Sequence, residues 1–293
     1  MTYEKIIYET EDNIATITLN YPEKLNAWRF AGGGGMVDEF FAALTEAEDD
    51  DDVKVVIFKG AGPSFSSGHD LTEVGYVYGY GGGKKGEKKR RPSQRIRLKL
   101  DRFGLNEPRR RIFLCPKVTI AQVHGHCTGE GILVMNCCDL AVAAEDASIG
   151  HTEQRLGFAG MSPTFPILVM NVGLKKALEL LLTGKRLSGK EAAEIGMVNM
   201  AVPPDRLDEE TRELARKVAL LPRDGIAIGK AMRHIQYERL GLTSGFATGY
   251  VGHTLFTNLR WEDDEYNFFK ARRDKGVRDA IHGKDDRFEE KDR

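Results

Sequence analysis

The alternation of apolar and polar positions predicts short strands separated by helices over the first half of the chain. Residues 6–9 and 14–20 have the pattern of two strands joined by a polar turn. Residues 53–58 and 117–123 are apolar runs of strand length. Residues 36–47 instead place their apolar side chains at helical spacing. Strands that alternate with helices in this way predict a layered α/β core.

The second half of the chain is mainly helical in its pattern. Two short strands, 140–144 and 147–150, follow the ones above, and from residue 205 onward the apolar spacing is helical. We therefore predict a core of residues 1–204 and a C-terminal helical region of residues 205–293. In addition to the helix at 36–47, the pattern predicts a helix at 93–113 in the first half of the chain. In the second half it predicts helices at 164–182, 207–220, 225–240, and 262–273 with 277–282.

The stretch that organises the chain is AQVHGHCTGEGILVMNCCD, residues 121–139. It opens as an apolar strand, turns at Gly129 and continues as an apolar helix. This order aims the N–H groups of the first helical turn at one point, where they suit a developing negative charge on oxygen. A plain glycine-containing connection between a strand and a helix has the same pattern, so this stretch alone leaves both interpretations open.

A second turn, FSSGHDL at residues 65–71, follows the strand at 53–58. It resembles the F-x-x-G-x-D-L/I turn of the crotonase superfamily, the enoyl-CoA hydratases and isomerases. HGHCTGEG at 124–131 resembles the N-G-x-x-x-G-G-G turn of that family, and the C-D-L that follows at 138–140 matches its C-D-L/I.

Two further blocks extend the resemblance. YPEKLNA at 21–27 is similar to the early R-P-x-x-x-N-A of the family. LTGKRLS at 182–188, with AAEIGMV at 192–198, is similar to L-T-G-x-x-I/L-x-A-x-E-A-x-x-x-G-L/M-V. Five blocks in the right order identify the chain by resemblance as a member of the crotonase superfamily. The resemblance implies an α/β fold, a crotonase-like ββα spiral core with a C-terminal helical region.

The resemblance also implies chemistry on an acyl-CoA thioester. The reaction passes through an enolate whose charge sits on the thioester oxygen, and two N–H donors fixed on that oxygen stabilise it. By position, the donors are the backbone N–H groups of His69 and Glu130. Hydratases of the family use two glutamates for proton transfer, and these positions fall on Leu133 and Glu153 here. The isomerases of the family use a single carboxylate at the Glu153 position.

A proton-transfer group other than Glu153 has several candidates. Glu130, His151 and His126 could each supply it. In an extended strand His151 and Glu153 would point the same way. An H-x-H pair formed by His124 and His126 could bind zinc beside a glutamate, but packing or hydrogen bonding is the commoner role of such a pair. We predict no metal.

Substrate binding is assigned by the same resemblance. The loop at 21–27 contacts the adenine end of coenzyme A in the family, and lysines of the Gly/Lys-rich loop at 75–92 either steer the phosphates or are simply solvated. Lys284 pairs with a CoA phosphate or is a surface cation. Asp70 and Asp139 accept backbone N–H bonds as structural residues. The predicted substrate-binding residues are Lys24, Leu25, Ala27, Ser67, Gly68, Asp70, Leu71, Gly129, Leu133 and Lys284.

Composition limits the partners and the compartment. A formal net charge of −1 gives no overall field to attract nucleic acid or a membrane surface. The four cysteines lack the spacing of metal ligands and predict reduced packing residues in a cytoplasmic protein. We predict no cofactor beyond the coenzyme A of the substrate, no nucleic acid and no membrane. The resemblance implies a homotrimer or a dimer of trimers, in which C-terminal helices cover a neighbouring subunit's pocket.

Three functions remain open at this point. The first is hydration or double-bond isomerisation of an enoyl-CoA. The second is hydrolysis of a carbon–carbon bond in a cyclic β-diketone or its CoA ester, for which His126 or His151 would be the signature. The third is acyl-CoA binding without catalysis, which Leu133 makes plausible.

Overall fold

Within residues 3–28, 35–72, 93–256 and 258–288, which the computed structural model describes, the strands form two sheets. The predicted loop at 75–92 lies outside these ranges. The strands are β1 Ile6–Glu11, β2 Ile14–Leu19, β3 Val55–Gly60, β4 Val118–Val123, β5 His126–Thr128, β6 Leu140–Ala144, β7 Ser148–Gly150, β8 Arg186–Leu187 and β9 Met200–Val202.

The larger sheet has the order β1-β2-β3-β4-β6-β9. The predicted hairpin is confirmed, since β1 and β2 are antiparallel, and every later neighbour in this sheet is parallel. The smaller sheet has the order β5-β7-β8 and pairs β5 with β7 in parallel. Parallel neighbours end at a common edge, and the turns that follow β3 and β4 are therefore brought side by side.

The helices surround these sheets and make up most of the chain after residue 204. The α-helices are α1 Met36–Asp49, α2 Gln94–Asp101, α3 Glu107–Phe113, α4 Glu130–Cys137, α5 Phe165–Val172, α6 Leu174–Thr183, α7 Gly189–Glu194, α8 Leu207–Ala219, α9 Arg223–Arg239, α10 Ser244–Phe256, α11 Phe268–Lys275 and α12 Val277–Asp285. Among the helices of the described ranges, none has the length and apolar character that a bilayer crossing requires.

Two of the predicted helices are interrupted. The helix predicted at 93–113 contains a π turn at Arg102–Asn106, between α2 and α3. The helix predicted at 164–182 divides at Gly173, whose φ of +76° ends α5 and precedes α6. The prediction of one continuous helix there was wrong, because the chain breaks at Gly173. Glycine adopts this conformation without the steric penalty of a Cβ.

Helix α10 is absent from the predicted set because its sequence is rich in glycine, which has a poor helix propensity. A Cβ on Gly245 would lie 2.6 Å from the Pro163 carbonyl oxygen, and one on Gly249 would lie 2.5 Å from the Pro163 Cβ. Close tertiary packing therefore explains the helix. Helix α11 begins at Phe268, later than predicted, because the Asn267 side chain caps it by accepting a hydrogen bond from the Lys270 N–H.

One apolar core extends across most of the chain. Strands β2 and β4 are buried along their whole length. The core cluster begins at Ile6 and also includes Leu207, Ala215 and Phe246, which lie beyond residue 204. The division into parts 1–204 and 205–293 stays a prediction, and residues on both sides of that boundary share this core.

A buried ion pair fastens α9 to the sheet. The Asp139 carboxylate accepts hydrogen bonds from the Thr119 N–H at 2.8 Å and from the Lys230 ammonium at 2.5 Å. Lys230 is 1% exposed. Asp139 therefore has the structural role predicted for it, because it joins the end of α4, the start of β4 and the middle of α9.

We expect Lys230→Met to lower the free energy of unfolding by about 3 kcal/mol, because the substitution leaves the Asp139 carboxylate without its cation. Urea denaturation followed by circular dichroism measures the change. Lys217→Met is the matched control, since Lys217 pairs with Glu213 on the exposed face of α8, and it should change little. Equal stability of both variants would contradict the role of the buried pair.

Candidate active site

Two turns, the first at residues 65–71 and the second at residues 124–131, lie against each other at the centre of the site. The Ser66 N–H donates to the His126 carbonyl at 2.9 Å, and the Thr128 N–H donates back to the Ser66 carbonyl at 3.0 Å. The Thr128 hydroxyl forms a third hydrogen bond between the turns, which it donates to the Ser67 carbonyl at 3.1 Å. The two turns are thus held in fixed register by backbone hydrogen bonds.

The contact between the turns requires two glycines. Gly68 has a φ of +90°, and a Cβ there would lie 3.1 Å from the Glu130 nitrogen. Gly129 has a φ of +54°, and a Cβ there would lie 3.2 Å from the Gly68 Cα and 3.9 Å from the His69 nitrogen. The backbones touch where no side chain fits, and the amide nitrogens of His69 and Glu130 flank this contact.

The second turn leads directly into a buried helix, as the pattern of residues 121–139 predicts. Gly129 is the N-cap of α4 and Glu130 is its first residue. Every residue of α4 is buried, and Leu133 is 5% exposed. The N–H groups of this first helical turn are those that an α-helix cannot satisfy internally.

The loop at 21–28 supports the first turn. The Trp28 N–H donates to the Gly68 carbonyl at 2.8 Å, and the Ser67 N–H donates to the Leu25 carbonyl at 2.9 Å. The Asn26 side chain, which is fully buried, donates to the Ser64 carbonyl at 2.8 Å. The structure therefore places the predicted binding residues of this loop next to those of the first turn. They are Lys24, Leu25 and Ala27 on one side, and Ser67, Gly68, Asp70 and Leu71 on the other.

The Glu130 side chain forms a buried ion pair that the sequence did not reveal. Its Oε1 accepts from the Arg109 Nε at 2.9 Å, and its Oε2 accepts from the Arg109 Nη2. The His69 Nε2 lies 3.6 Å from the same Oε2. Arg109 belongs to α3, and no pattern in that basic helix distinguishes it from its arginine neighbours.

These charges set the protonation states of the cluster. Burial alone would raise the pKa of Glu130, but the Arg109 guanidinium lowers it below its ordinary value. Burial lowers the pKa of His69 to about 3, although the Glu130 carboxylate opposes this shift. Near neutral pH the cluster thus holds one cation, one anion and a neutral imidazole.

His151 and Glu153 form a second pair. The His151 Nδ1 lies 3.0 Å from the Glu153 Oε1. Glu153 lies in a 3₁₀ turn at Thr152–Leu156, with His151 as its N-cap, and the two side chains meet in this conformation rather than in an extended strand. His151 is 0% exposed, and within the described residues neither its Nε2 nor the Glu153 Oε2 has a hydrogen-bond partner. Both atoms are thus buried polar groups with unused hydrogen-bonding capacity.

The C-terminal hairpin of α11 and α12 covers this turn. Leu156 packs in a separate apolar cluster with Phe268 and Ala280, and the Arg272 guanidinium donates to the Leu71 carbonyl at 2.7 Å. The resemblance implied that C-terminal helices cover a neighbouring subunit. In this chain α11 and α12 pack on the site turns of their own chain, and the covering of a neighbouring subunit stays a prediction.

Lys284 is 4% exposed, and it lies on the inner face of α12. Its ammonium lies 2.9 Å from the Asp285 carboxylate and 3.4 Å from the Thr152 carbonyl. Burial lowers the pKa of Lys284, which the neighbouring Asp285 opposes. This position contradicts the alternative of a surface cation, whereas pairing with a CoA phosphate stays a prediction. The contact with Thr152 supports the Glu153 turn.

The two histidines of the H-x-H pair have different surroundings. The His124 Nε2 lies 2.9 Å from the Gly62 carbonyl, and His126 belongs to β5. In the described ranges no three His, Cys, Asp or Glu side chains are grouped as metal ligands. Asp70 has the structural role predicted for it, because its carboxylate accepts the Thr72 N–H at 2.9 Å.

The sequence matches one family of known proteins over most of its length. The model of the Enoyl-CoA hydratase/isomerase family matches residues 9–248. The chain belongs to the enoyl-CoA hydratase/isomerase family. It is therefore an enoyl-CoA hydratase/isomerase-like enzyme, and the membership of the crotonase superfamily predicted from the five sequence blocks is confirmed.

Individual members of the family show how far the likeness extends. EchA13 of Mycobacterium tuberculosis, to which its name assigns a provisional enoyl-CoA hydratase activity, is 37% identical over 270 residues, or 86% of this chain and 80% of the relative. Hydroxycinnamoyl-CoA hydratase-lyase of Pseudomonas fluorescens is 33% identical over 232 residues, or 79% and 78%. The crystal structure of an enoyl-CoA hydratase/isomerase from Xanthobacter autotrophicus Py2 has a TM-score of 0.80 at 33% identity and covers 98% of this chain and 100% of that one. The predicted fold class is confirmed.

We expect Arg109→Met to lower the free energy of unfolding by about 3–5 kcal/mol, because it leaves the Glu130 carboxylate buried without its cation. The double variant Arg109→Met with Glu130→Met should recover most of that loss, since apolar side chains of similar volume replace both charges. Urea denaturation of the wild type, both single variants and the double variant gives the coupling energy. Losses that simply add would show that the two side chains are not coupled.

Proposed function

We propose that this enzyme hydrates an enoyl-CoA or moves its double bond, through an enolate stabilised at the thioester oxygen. The observation that carries the proposal is the contact between the two turns, which sets the backbone nitrogens of His69 and Glu130 on either side of Gly68 and Gly129. The family membership supplies the substrate class, an acyl-CoA. No cofactor beyond the coenzyme A of the substrate enters the proposal.

The thioester oxygen would be held by the N–H groups of His69 and Glu130. Charge on that oxygen grows as the enolate forms, so donors fixed in advance stabilise the transition state more than the substrate. A lone Glu130 carboxylate beside the same oxygen would oppose this. Arg109 pairs with Glu130 and brings the net charge of the pair to zero, and the neutral His69 ring adds none.

Glu153 would transfer the proton. Its Oε1 is held by His151, which fixes the orientation of the carboxyl group, and its buried Oε2 faces away from that contact. In isomerisation a carboxylate accepts a proton from one carbon and returns it to another, so a single group is sufficient. In hydration one proton is taken from water and one is delivered to the α-carbon, which needs a second group.

A second candidate reaction is hydrolysis of a carbon–carbon bond in a cyclic β-diketone or its CoA ester. The His151–Glu153 contact at 3.0 Å favours it, since this chemistry uses a histidine beside a carboxylate. Mass spectrometry separates the reactions. Addition of water without ring opening indicates a hydratase, a shifted double bond without a mass change indicates an isomerase, and ring opening indicates the hydrolase.

Self-association is the remaining part of the proposal. Ile228, Met232 and Ile235 of α9 are each more than half exposed and occupy one face of the helix at helical spacing. This apolar face supports self-association, and the family resemblance implies that the assembly is a homotrimer or a dimer of trimers. A cytoplasmic location remains a prediction.

We expect Glu153→Gln to lower kcat by roughly 10²–10⁴-fold with little change in KM, because the amide cannot transfer the proton but fills the same space. The assay is turnover of a panel of aliphatic and aromatic enoyl-CoA esters, including hydroxycinnamoyl-CoA. The matched control is Glu194→Gln, at an exposed position at the end of α7. An unchanged rate in Glu153→Gln would remove this residue from the mechanism, and a wild type without turnover of any ester would contradict the proposed function.

A further inference from the structure

A buried aspartate and a histidine pair next to the candidate site, on helices outside the family turns. The Asp101 Oδ2, at the end of α2, lies 3.1 Å from the His253 Nδ1 on α10. The same oxygen accepts the Thr254 hydroxyl at 2.7 Å. The Asp101 side chain is 0% exposed, whereas the His253 side chain is 27% exposed. The contact fixes Nδ1 against the carboxylate and directs the Nε2 edge of the ring away from it.

The π turn places Asp101 and Arg109 on one face of the helix α2–α3. Two turns of an α-helix take about seven residues, and a turn with i→i+5 hydrogen bonds contains one residue more. Asp101 and Arg109 are eight positions apart, with the π turn at Arg102–Asn106 between them. Both are buried, and Arg109 holds Glu130 of the second turn. One face of this helix therefore binds both His253, through Asp101, and Glu130, through Arg109.

Two packing contacts place the His253 ring against the segment that follows the 3₁₀ turn of Glu153. It stacks on Phe158, with ring centroids 5.4 Å apart and the planes 15° from parallel. Phe158 follows the 3₁₀ turn of Glu153 and packs in the same apolar cluster as Leu71, the last residue of the first turn. Gly252, the neighbour of His253, lies close enough to Met161 that a Cβ would be 2.9 Å from the Met161 Cε.

Electrostatics agree with this placement. Burial is the largest influence on the pKa of His69, and charge on His253 lowers that pKa further. Burial raises the pKa of Glu130, and Arg109 lowers it. Charge on His253 lowers the same pKa to a smaller extent. The His253 ring thus lies within electrostatic range of both residues whose backbone nitrogens flank the contact between the turns.

We propose that His253, oriented by Asp101, is the second acid/base group of the site and fills the role that Leu133 cannot fill. The inference rests on the proposed function and makes it specific, because two groups, Glu153 and His253, are what hydration requires. Leu133 is apolar and buried, so it can neither hold water nor transfer a proton.

The hydration step balances with these two groups. His253, as the base, takes a proton from water while the water oxygen forms its bond to the β-carbon. The electron pair of the double bond moves onto the thioester oxygen as an enolate. Glu153, as the acid, delivers its proton to the α-carbon as the enolate electron pair returns to form the new C–H bond, and exchange with solvent restores both groups. Asp101 acts through His253, so it is a positioning residue.

The test compares two reactions of one protein. Hydration of an enoyl-CoA needs both groups, whereas exchange of the α-hydrogen of a saturated acyl-CoA with heavy water needs only Glu153. We expect His253→Gln to lower kcat for hydration by roughly 10²–10⁴-fold while the exchange rate and the KM change little. Glu153→Gln should lower both reactions. His282→Gln, at an exposed histidine of α12, is the matched control and should change neither.

Two further variants separate a chemical role from a structural one. Asp101→Asn should lower kcat for hydration by a smaller factor and shift its pH profile, because the ring loses its ionic partner but remains in place. His253→Ala should regain hydration when imidazole is added, since the free base can enter the space of the lost ring. The rescue should not occur in Glu153→Gln.

Each outcome decides the inference. Loss of hydration with retained exchange, and rescue by imidazole, would support it. Equal loss of both reactions in His253→Gln without rescue, or unchanged hydration, would overturn the role of His253 and leave the proposed function standing. A wild type that isomerises and exchanges but does not hydrate would do the same. A wild type inactive on every acyl-CoA would overturn both.

Discussion

The backbone contact between the turns at 65–71 and 124–131 is the constraint on which the rest of the structure depends. Parallel pairing of β3 with β4 brings the two chain segments to the same edge of the sheet. The hydrogen bonds of Ser66 then fix their register, and Gly68 and Gly129 let them touch. A side chain at either glycine would separate the two nitrogens that are proposed to hold one oxygen.

Buried titratable side chains around this contact are arranged in pairs. Arg109 neutralises Glu130, Asp101 holds His253, and His151 holds Glu153. An isolated buried charge would be costly and would also disturb the developing charge on a thioester oxygen. In each pair one partner lies near the turns and the other fixes its position. Arg109 and Asp101 lie on one face of the interrupted helix α2–α3, because the π turn between them brings them into line.

The sequence predicted the parts of the site that depend on local pattern. Glycine turns after apolar strands have a recognisable order, and the resemblance to the crotonase superfamily related the first turn to the second and assigned proton transfer to Glu153. Partners that come from distant helices leave no such pattern. Arg109 is one of several arginines in α3, and His253 lies in a glycine-rich helix that propensity disfavours. Only tertiary packing brings them to the site.

The measurement that tests this account most directly is a crystal structure of the enzyme with a saturated acyl-CoA bound. The account predicts that the thioester oxygen lies about 2.7–3.1 Å from both backbone nitrogens, those of His69 and Glu130. A thioester oxygen bound away from the contact between the turns, or held by only one of these nitrogens, would contradict it.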